Sequence, residues 1–151
     1  MLSKVAVPKI IKGMPVILER DINRGQCAWK TWRESAISVL NNGVDVMQIN
    51  SSMLDISRTD EALAVRYSLY LIENKAPGVG VEVRVAPWGA VKILEGPASD
   101  PHNLTPPDVI ELEPEVWLRL ASGITKWQQE KQAGHISAIG ERDDLSSILP
   151  L

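Results

Sequence analysis

The sequence predicts a two-layer α+β fold, an antiparallel-rich sheet with helices on one face. Three stretches carry that prediction. Val79, Val81, Val83 and Val85 alternate with Gly80, Glu82, Arg84 and Ala86, the two-residue period of a half-buried strand. Ala62, Val65, Leu69, Ile72 and Ala76 recur at i, i+3, i+7, i+10 and i+14, the stripe of a core-facing helix. From Pro107 onward, local signals spell strand, helix, tight break, helix, strand and a short terminal helix.

In chain order, residues 1–23 mix apolar and basic positions without a stable period, and Pro15 to Leu18 admits a short strand or an extended arm. From Asn23 to Asn41, residues Trp29, Trp32, Ala36, Val39 and Leu40 fall at helical spacing, with Asn41-Asn42-Gly43 as a stop. Val44 to Met53 admits a strand or a turn of helix, and Asp55 to Asp60 is a polar connector holding the cap candidates Ser57 and Thr59. The helix Asp60 to Lys75 follows and ends at Pro77-Gly78. Val79 to Val85 and Ala90 to Leu94 then read as an antiparallel hairpin turning at Pro87-Trp88-Gly89, with Val81 and Val83 buried beneath that helix. Gly96 to Pro107 carries four prolines and no periodicity, so it is expected to be a surface loop.

Val109, Ile110 and Leu112 form the next strand, and Glu113-Pro114 opens a helix with proline at its first position, where the missing N–H is harmless. Trp117, Leu120, Ala121 and Ile124 share a face, and Gly123 sits where a left-handed cap would end the helix. Thr125-Lys126-Trp127-Gln128 offers a capping box for a second helix closed by Gly134. His135 to Gly140 is a short strand, and Leu145, Ile148 and Leu149 make a last small helical face.

The length of 151 residues suits one domain that buries about 70% of the surface its unfolded chain exposes. A net charge of −3 and the lack of a Lys/Arg cluster argue against nucleic acid and against a polybasic membrane arm. One cysteine and two histidines exclude an internal disulfide and a His/Cys zinc set. The apolar N-terminus is broken by Lys4, Lys9, Lys12 and two prolines, and nothing approaches a membrane span, so the cytoplasm and no integral membrane contact are expected.

Three stretches together resemble the C-terminal half of the sterol carrier protein-2 fold, in the bacterial branch of sterol carrier family proteins. They are APGVGVEVRVAPWGAVKILEGP from Ala76, TPPDVIELEPEVWLRLASG from Thr105 and GHISAIGERDDLSSILPL from Gly134. The loop Ala98 to Leu104 departs from the resemblance, reading ASDPHNL where a basic, threonine-rich segment is expected. The resemblance implies a sterol carrier protein-2-like sheet of four to five strands, of which four are legible. It implies one domain over residues 1–151, here with an N-terminal helical extension over about 1–58. Implied too is soluble, non-enzymatic binding or transfer of a sterol, fatty acid or acyl-CoA in a tunnel between sheet and C-terminal helices. Leu145, Ile148, Leu149 and Leu151 would supply one lid of that tunnel.

Catalytic alternatives are weak on the residues themselves. His135 beside Glu141-Arg142-Asp143-Asp144 resembles a base with its orienting carboxylate, yet no nucleophile motif accompanies it. The plainer reading has Asp143 or Asp144 capping the last helix and Arg142 pairing locally. Gly78-Val79-Gly80 lacks the third glycine and following helix of a dinucleotide site. Cys27 beside a helical stripe reads as a buried thiol. No catalytic residue, cofactor or metal is therefore assigned.

The chain has five tryptophans and no phenylalanine. Trp117 and Trp127 either fill the core or line an apolar cavity. Two short helices broken at Gly123 splay apart more readily than one continuous helix. On that ground the candidate ligand-binding residues are Trp117, Leu120, Ile124, Trp127, Ile148 and Leu149, with an apolar small molecule as partner. The alternative is a non-enzymatic protein-interaction module with no open cavity. A homodimer stays open as a partner state.

Overall fold

The computed structural model describes residues 15–96 and 108–151. Its helices are α1 (Ile22–Asn41), α2 (Arg58–Lys75), α3 (Pro114–Ala121) and α4 (Trp127–Gln132). Its strands are β1 (Val81–Val85), β2 (Gly89–Ile93), β3 (Asp108–Leu112) and β4 (Ile136–Ile139). Everything else is arranged around α2. Ser57 caps it by accepting the Asp60 N–H at 3.1 Å, and Asp60, Glu61 and Lys75 complement its dipole at the two ends. The predicted stripe is buried, and so are Leu63, Ala64, Tyr67 and Ser68 on the flanks. A helix covered on several sides needs a neighbour on each, and α2 packs against α1, β2 and α3. Gly25 lets α1 come close, because a Cβ there would lie 2.8 Å from Cβ of Tyr67.

The sheet order is β2-β1-β3-β4, antiparallel at both outer pairings and parallel between β1 and β3. Val83 stands opposite Val91 on one side and Ile110 on the other, and Ile110 stands opposite Ala138. With a period of two, this register sends Val81, Val83, Val85, Val91, Ile93, Ile110 and Leu112 into the core. Glu82 and Arg84 take the other face of β1 and pair there with each other. The predicted class, the hairpin and the burial of Val81 and Val83 all hold. β1 starts two residues late, which leaves Val79 39% exposed.

Tryptophan N–H groups pin the layers together, as buried indoles require. Trp32 Nε1 donates to Ser51 Oγ at 3.1 Å, Trp29 Nε1 to Ser122 Oγ at 3.1 Å and Trp117 Nε1 to Ser68 Oγ at 2.8 Å. Trp88, in the hairpin turn, donates to Glu61 Oε1 at 2.8 Å, and the Arg58 and Arg66 guanidinium groups lie over its ring.

Several expectations need correction. Leu145 to Leu149 forms a turn rather than a helix, with Ile148 N–H bonding Leu145 O at 3.1 Å. Pro150 explains this, since it supplies no donor and steers Leu149 away from helical geometry, and so short a segment cannot offset helix nucleation. Val44 to Met53 contains one 3-10 turn, Val46–Gln48, capped by Asp45. Cys27 is exposed, because Ala28, Trp29, Trp32 and Ala36 own the inner face of α1. The expected loop lies outside the described residues over 97–107, as does the reading of residues 1–14.

Candidate functional site

The C-terminal third is built from two short helices that end the same way. Gly123 N–H bonds Leu120 O at 3.2 Å and Ile124 N–H bonds Arg119 O at 2.8 Å. At the end of α4, Gly134 N–H bonds Lys131 O at 3.0 Å and His135 N–H bonds Glu130 O at 3.0 Å. Both glycines have positive φ, +76° and +79°, which a side chain would resist. The expected capping box lies one residue further on: Gln129 Oε1 accepts the Lys126 N–H at 2.7 Å, and lysine has no acceptor with which to reciprocate. Thr125 is occupied elsewhere.

Trp117 is fully buried and Leu120 is 2% exposed, both facing the core. Ile124, Ile148 and Leu149 are half-buried and pack against that core. Trp127 is 3% exposed, and its indole N–H is buried without an acceptor. The six predicted residues thus divide into three in the core and three at its margin.

The margin is a strap formed by residues 140–151. It leaves β4, and its Arg142 N–H reaches Asp108 Oδ1 at 3.3 Å. The Arg142 side chain donates to Glu95 O, lying between Gly80 and Gly96 where any Cβ would collide with it, so its pairing is distant rather than local. Asp143 pairs with Lys131 at 3.2 Å, and Asp144 accepts the Ser146 N–H at 2.8 Å, capping a turn and not a helix. Leu145 then enters the core. Lys75 Nζ donates to Ile148 O at 2.8 Å and Pro150 O at 3.3 Å, and Leu151 N–H donates to Ala121 O at 3.0 Å. The strap therefore closes over the C-terminal ends of α2 and α3.

Beside it lies a buried polar cluster that sequence reasoning missed. Glu130, with no exposure, receives Arg119 Nε at 2.7 Å and Arg119 Nη2 at 2.9 Å, a two-pronged pair. Thr125 Oγ1 donates to Glu130 Oε2 at 2.7 Å, His135 Nδ1 lies 2.7 Å from Glu130 Oε1, and Arg119 Nη1 donates to Ile49 O at 2.9 Å. Burial by itself raises the Glu130 carboxyl, but the hydrogen bonds from Arg119, His135 and Thr125 and the charge of Arg119 prevail and hold it below the usual carboxylate range. The one hint in the sequence was Glu130 three residues after Trp127, which puts a charge on the same side of α4 as its single large apolar residue. Arg119 gave no comparable signal, because α3 is buried nearly all round and has no wet face to betray an odd residue.

As chemistry the cluster is closed. The carboxylate that orients His135 is Glu130, not the acids of the strap. Thr125 is 5% exposed and spends its proton on Glu130, so its oxygen is not offered to solvent as a nucleophile. No group of three or more His, Cys, Asp or Glu side chains suited to a metal occurs among the described residues. No helix among them is long and apolar enough to cross a membrane. Two open hollows lie elsewhere. One of about 390 Å³ is lined by Glu34, Ser38, Val39 and Met53, and one of about 410 Å³ by Cys27, Thr31, Asp60 and Leu63.

Among curated proteins none matches the chain significantly. The family described as bacterial SCP ortholog matches residues 57–151, from the N-cap of α2 through the sheet, α3, α4 and the strap. That family points in general terms to lipid carriage or binding. With more than half of its length matched, this chain belongs to the bacterial sterol carrier protein family.

Proposed function

We propose that the chain is a non-enzymatic, cytoplasmic carrier that binds an apolar ligand, a sterol, fatty acid or acyl-CoA, between its sheet and its C-terminal segments. The reading takes residues 1–151 as one sterol carrier-like domain, with residues 1–58 as a helical extension outside most of the family match. The observation that carries it is that match itself, which spans both the core wall and the strap that would cover a ligand. Trp117, Leu120 and Trp127 form the inner wall, and Ile124, Ile148 and Leu149 the outer one.

With Trp117 and Leu120 packed, a ligand enters by lifting the strap. Three hydrogen bonds tie its last residues to α2 and α3, each worth about 1 kcal/mol net. At roughly 0.8 kcal/mol per buried methylene, about four methylenes offset them. A long acyl chain has that many to spare.

The test is native mass spectrometry of the purified chain together with titration of tryptophan emission by a long-chain fatty acid, a sterol and an acyl-CoA. A bound lipid and a shift in emission, altered more by Trp117→Phe than by Trp29→Phe, are the expected results. Complete packing of Trp117 favours the second reading, an interaction module whose pocket is closed. No adduct and no emission change with any of the three lipids would sink the carrier reading and make the interaction module the better account.

A further inference from the structure

Four of the five indole N–H groups end on a side-chain oxygen from another element: Trp29 on Ser122, Trp32 on Ser51, Trp88 on Glu61 and Trp117 on Ser68. Trp127 is the exception. It is 3% exposed, and no acceptor among the described residues meets its Nε1. A donor buried in this way has given up water without compensation, which is why such groups are rare and call for an explanation. Its position supplies one. Glu130, three residues on, is held by Arg119 of α3, and Lys131, four residues on, pairs with Asp143 of the strap at 3.2 Å. Residues at those spacings share a side of a helix, so Trp127 stands in the angle between α3 and the strap. Two residues after Asp143, Leu145 of the same strap enters the core.

We infer that the Trp127 N–H is the polar anchor of the carried molecule, and that this molecule bears a neutral acceptor oxygen, a hydroxyl or a carbonyl, on its apolar body. The inference rests on the carrier reading and sharpens it. An indole N–H donates and cannot accept, so the ligand must offer a lone pair. A neutral oxygen fits because the cations on either side are committed, Arg119 to Glu130 and Lys131 to Asp143. An ionised carboxylate carried out of water onto one neutral donor would keep most of its desolvation cost. A hydrocarbon without oxygen would leave the donor as it found it. Of the three ligand types proposed, a sterol hydroxyl and the thioester carbonyl of an acyl-CoA meet the condition, and a free fatty acid does not.

The indole region of the proton–nitrogen correlation spectrum tests this on the full chain, with Trp127→Phe identifying the Trp127 signal by its loss. The probes are dodecanol, dodecane and dodecanoate, and occupancy is read separately from the other tryptophan and methyl signals. Dodecanol should move the Trp127 signal downfield, as a new hydrogen bond does, and dodecane should leave it in place. Dodecanoate should bind more weakly than dodecanol. Trp127→Phe should cost dodecanol about fivefold in affinity and leave dodecane within about twofold. A Trp127 signal that stays put while dodecanol binds, or equal losses for dodecanol and dodecane in Trp127→Phe, would overturn the anchor. Dodecanoate binding as tightly as dodecanol would overturn the neutral oxygen. Should none of the three bind, the carrier reading falls first and the inference with it.

Discussion

Two neighbouring tryptophans on successive helices are both almost fully buried, yet their surroundings differ. Trp117 on α3 is anchored through its N–H to Ser68, whose own hydroxyl lies within hydrogen-bonding distance of Ala64 O and Val65 O, so α3 and α2 are locked by side-chain polarity as well as packing. Trp127 on α4 has no such anchor, and the last residues of the strap, from Ile148 to Leu151, are held only through main-chain groups, by Lys75 Nζ and by the Leu151 N–H to Ala121 O. A side-chain lock specifies one arrangement, because breaking it strands a buried donor; backbone ties at a half-wet margin exchange with water at small cost. The α2–α3 interface is thus the fixed wall of the molecule, with α4 locked to it by the Arg119–Glu130 pair, and the last residues of the strap are the adjustable part.

The largest expected effect comes from the polar cluster that fastens α4 to the fixed wall. Glu130→Ala leaves Arg119 buried and unpaired and should cost about 3–5 kcal/mol in chemical unfolding. A loss under about 1 kcal/mol would mean that the cluster does not join the two regions. Glu130 also makes stability pH-dependent. A carboxyl depressed by folding contributes stability that is fully present above its ordinary value, about pH 4.3, and lost as pH falls through the folded value. The wild type should therefore lose more stability on acidification below that point than Glu130→Gln does, as read from urea midpoints across the acid range.

The comparison of tryptophans can be broken directly. Both Trp117→Phe and Trp127→Phe leave a cavity, but only Trp117→Phe also removes a buried hydrogen bond, so it should cost about 1 kcal/mol more than Trp127→Phe. Equal losses would erase the distinction between the two tryptophans. The smallest effect belongs to the strap. Lys75→Met removes its donor to Ile148 O and Pro150 O and should lower global stability by under about 1 kcal/mol, yet quicken amide exchange at Ile148 and Leu151. Unchanged exchange there would show that the lysine does not hold the strap down.

Much of this molecule was legible before folding, and the reasons are local. The alternating valines placed β1, and the stripe from Ala62 to Ala76 placed α2. Pro114, Gly123 and Gly134 marked helix ends through φ preferences that do not depend on neighbours. What local pattern missed was decided by distant partners. Within the strap from Gly140 to Leu151, the run from Leu145 to Pro150 is too short to nucleate a helix, so the strap's path is set by Asp108, Glu95, Lys75 and Ala121. Cys27 was misjudged because a helical stripe states its period and not which neighbouring helix will cover it. Arg119, Thr125, Glu130 and His135 were not seen as a unit, since their partnership exists only once α3, α4 and the start of β4 converge. By itself the sequence determined the main helices and strands, most of their ends and the family; the tertiary structure alone decided where the strap runs and that a charge lies in the core, because a buried ion pair exists only once both partners have been carried out of water together.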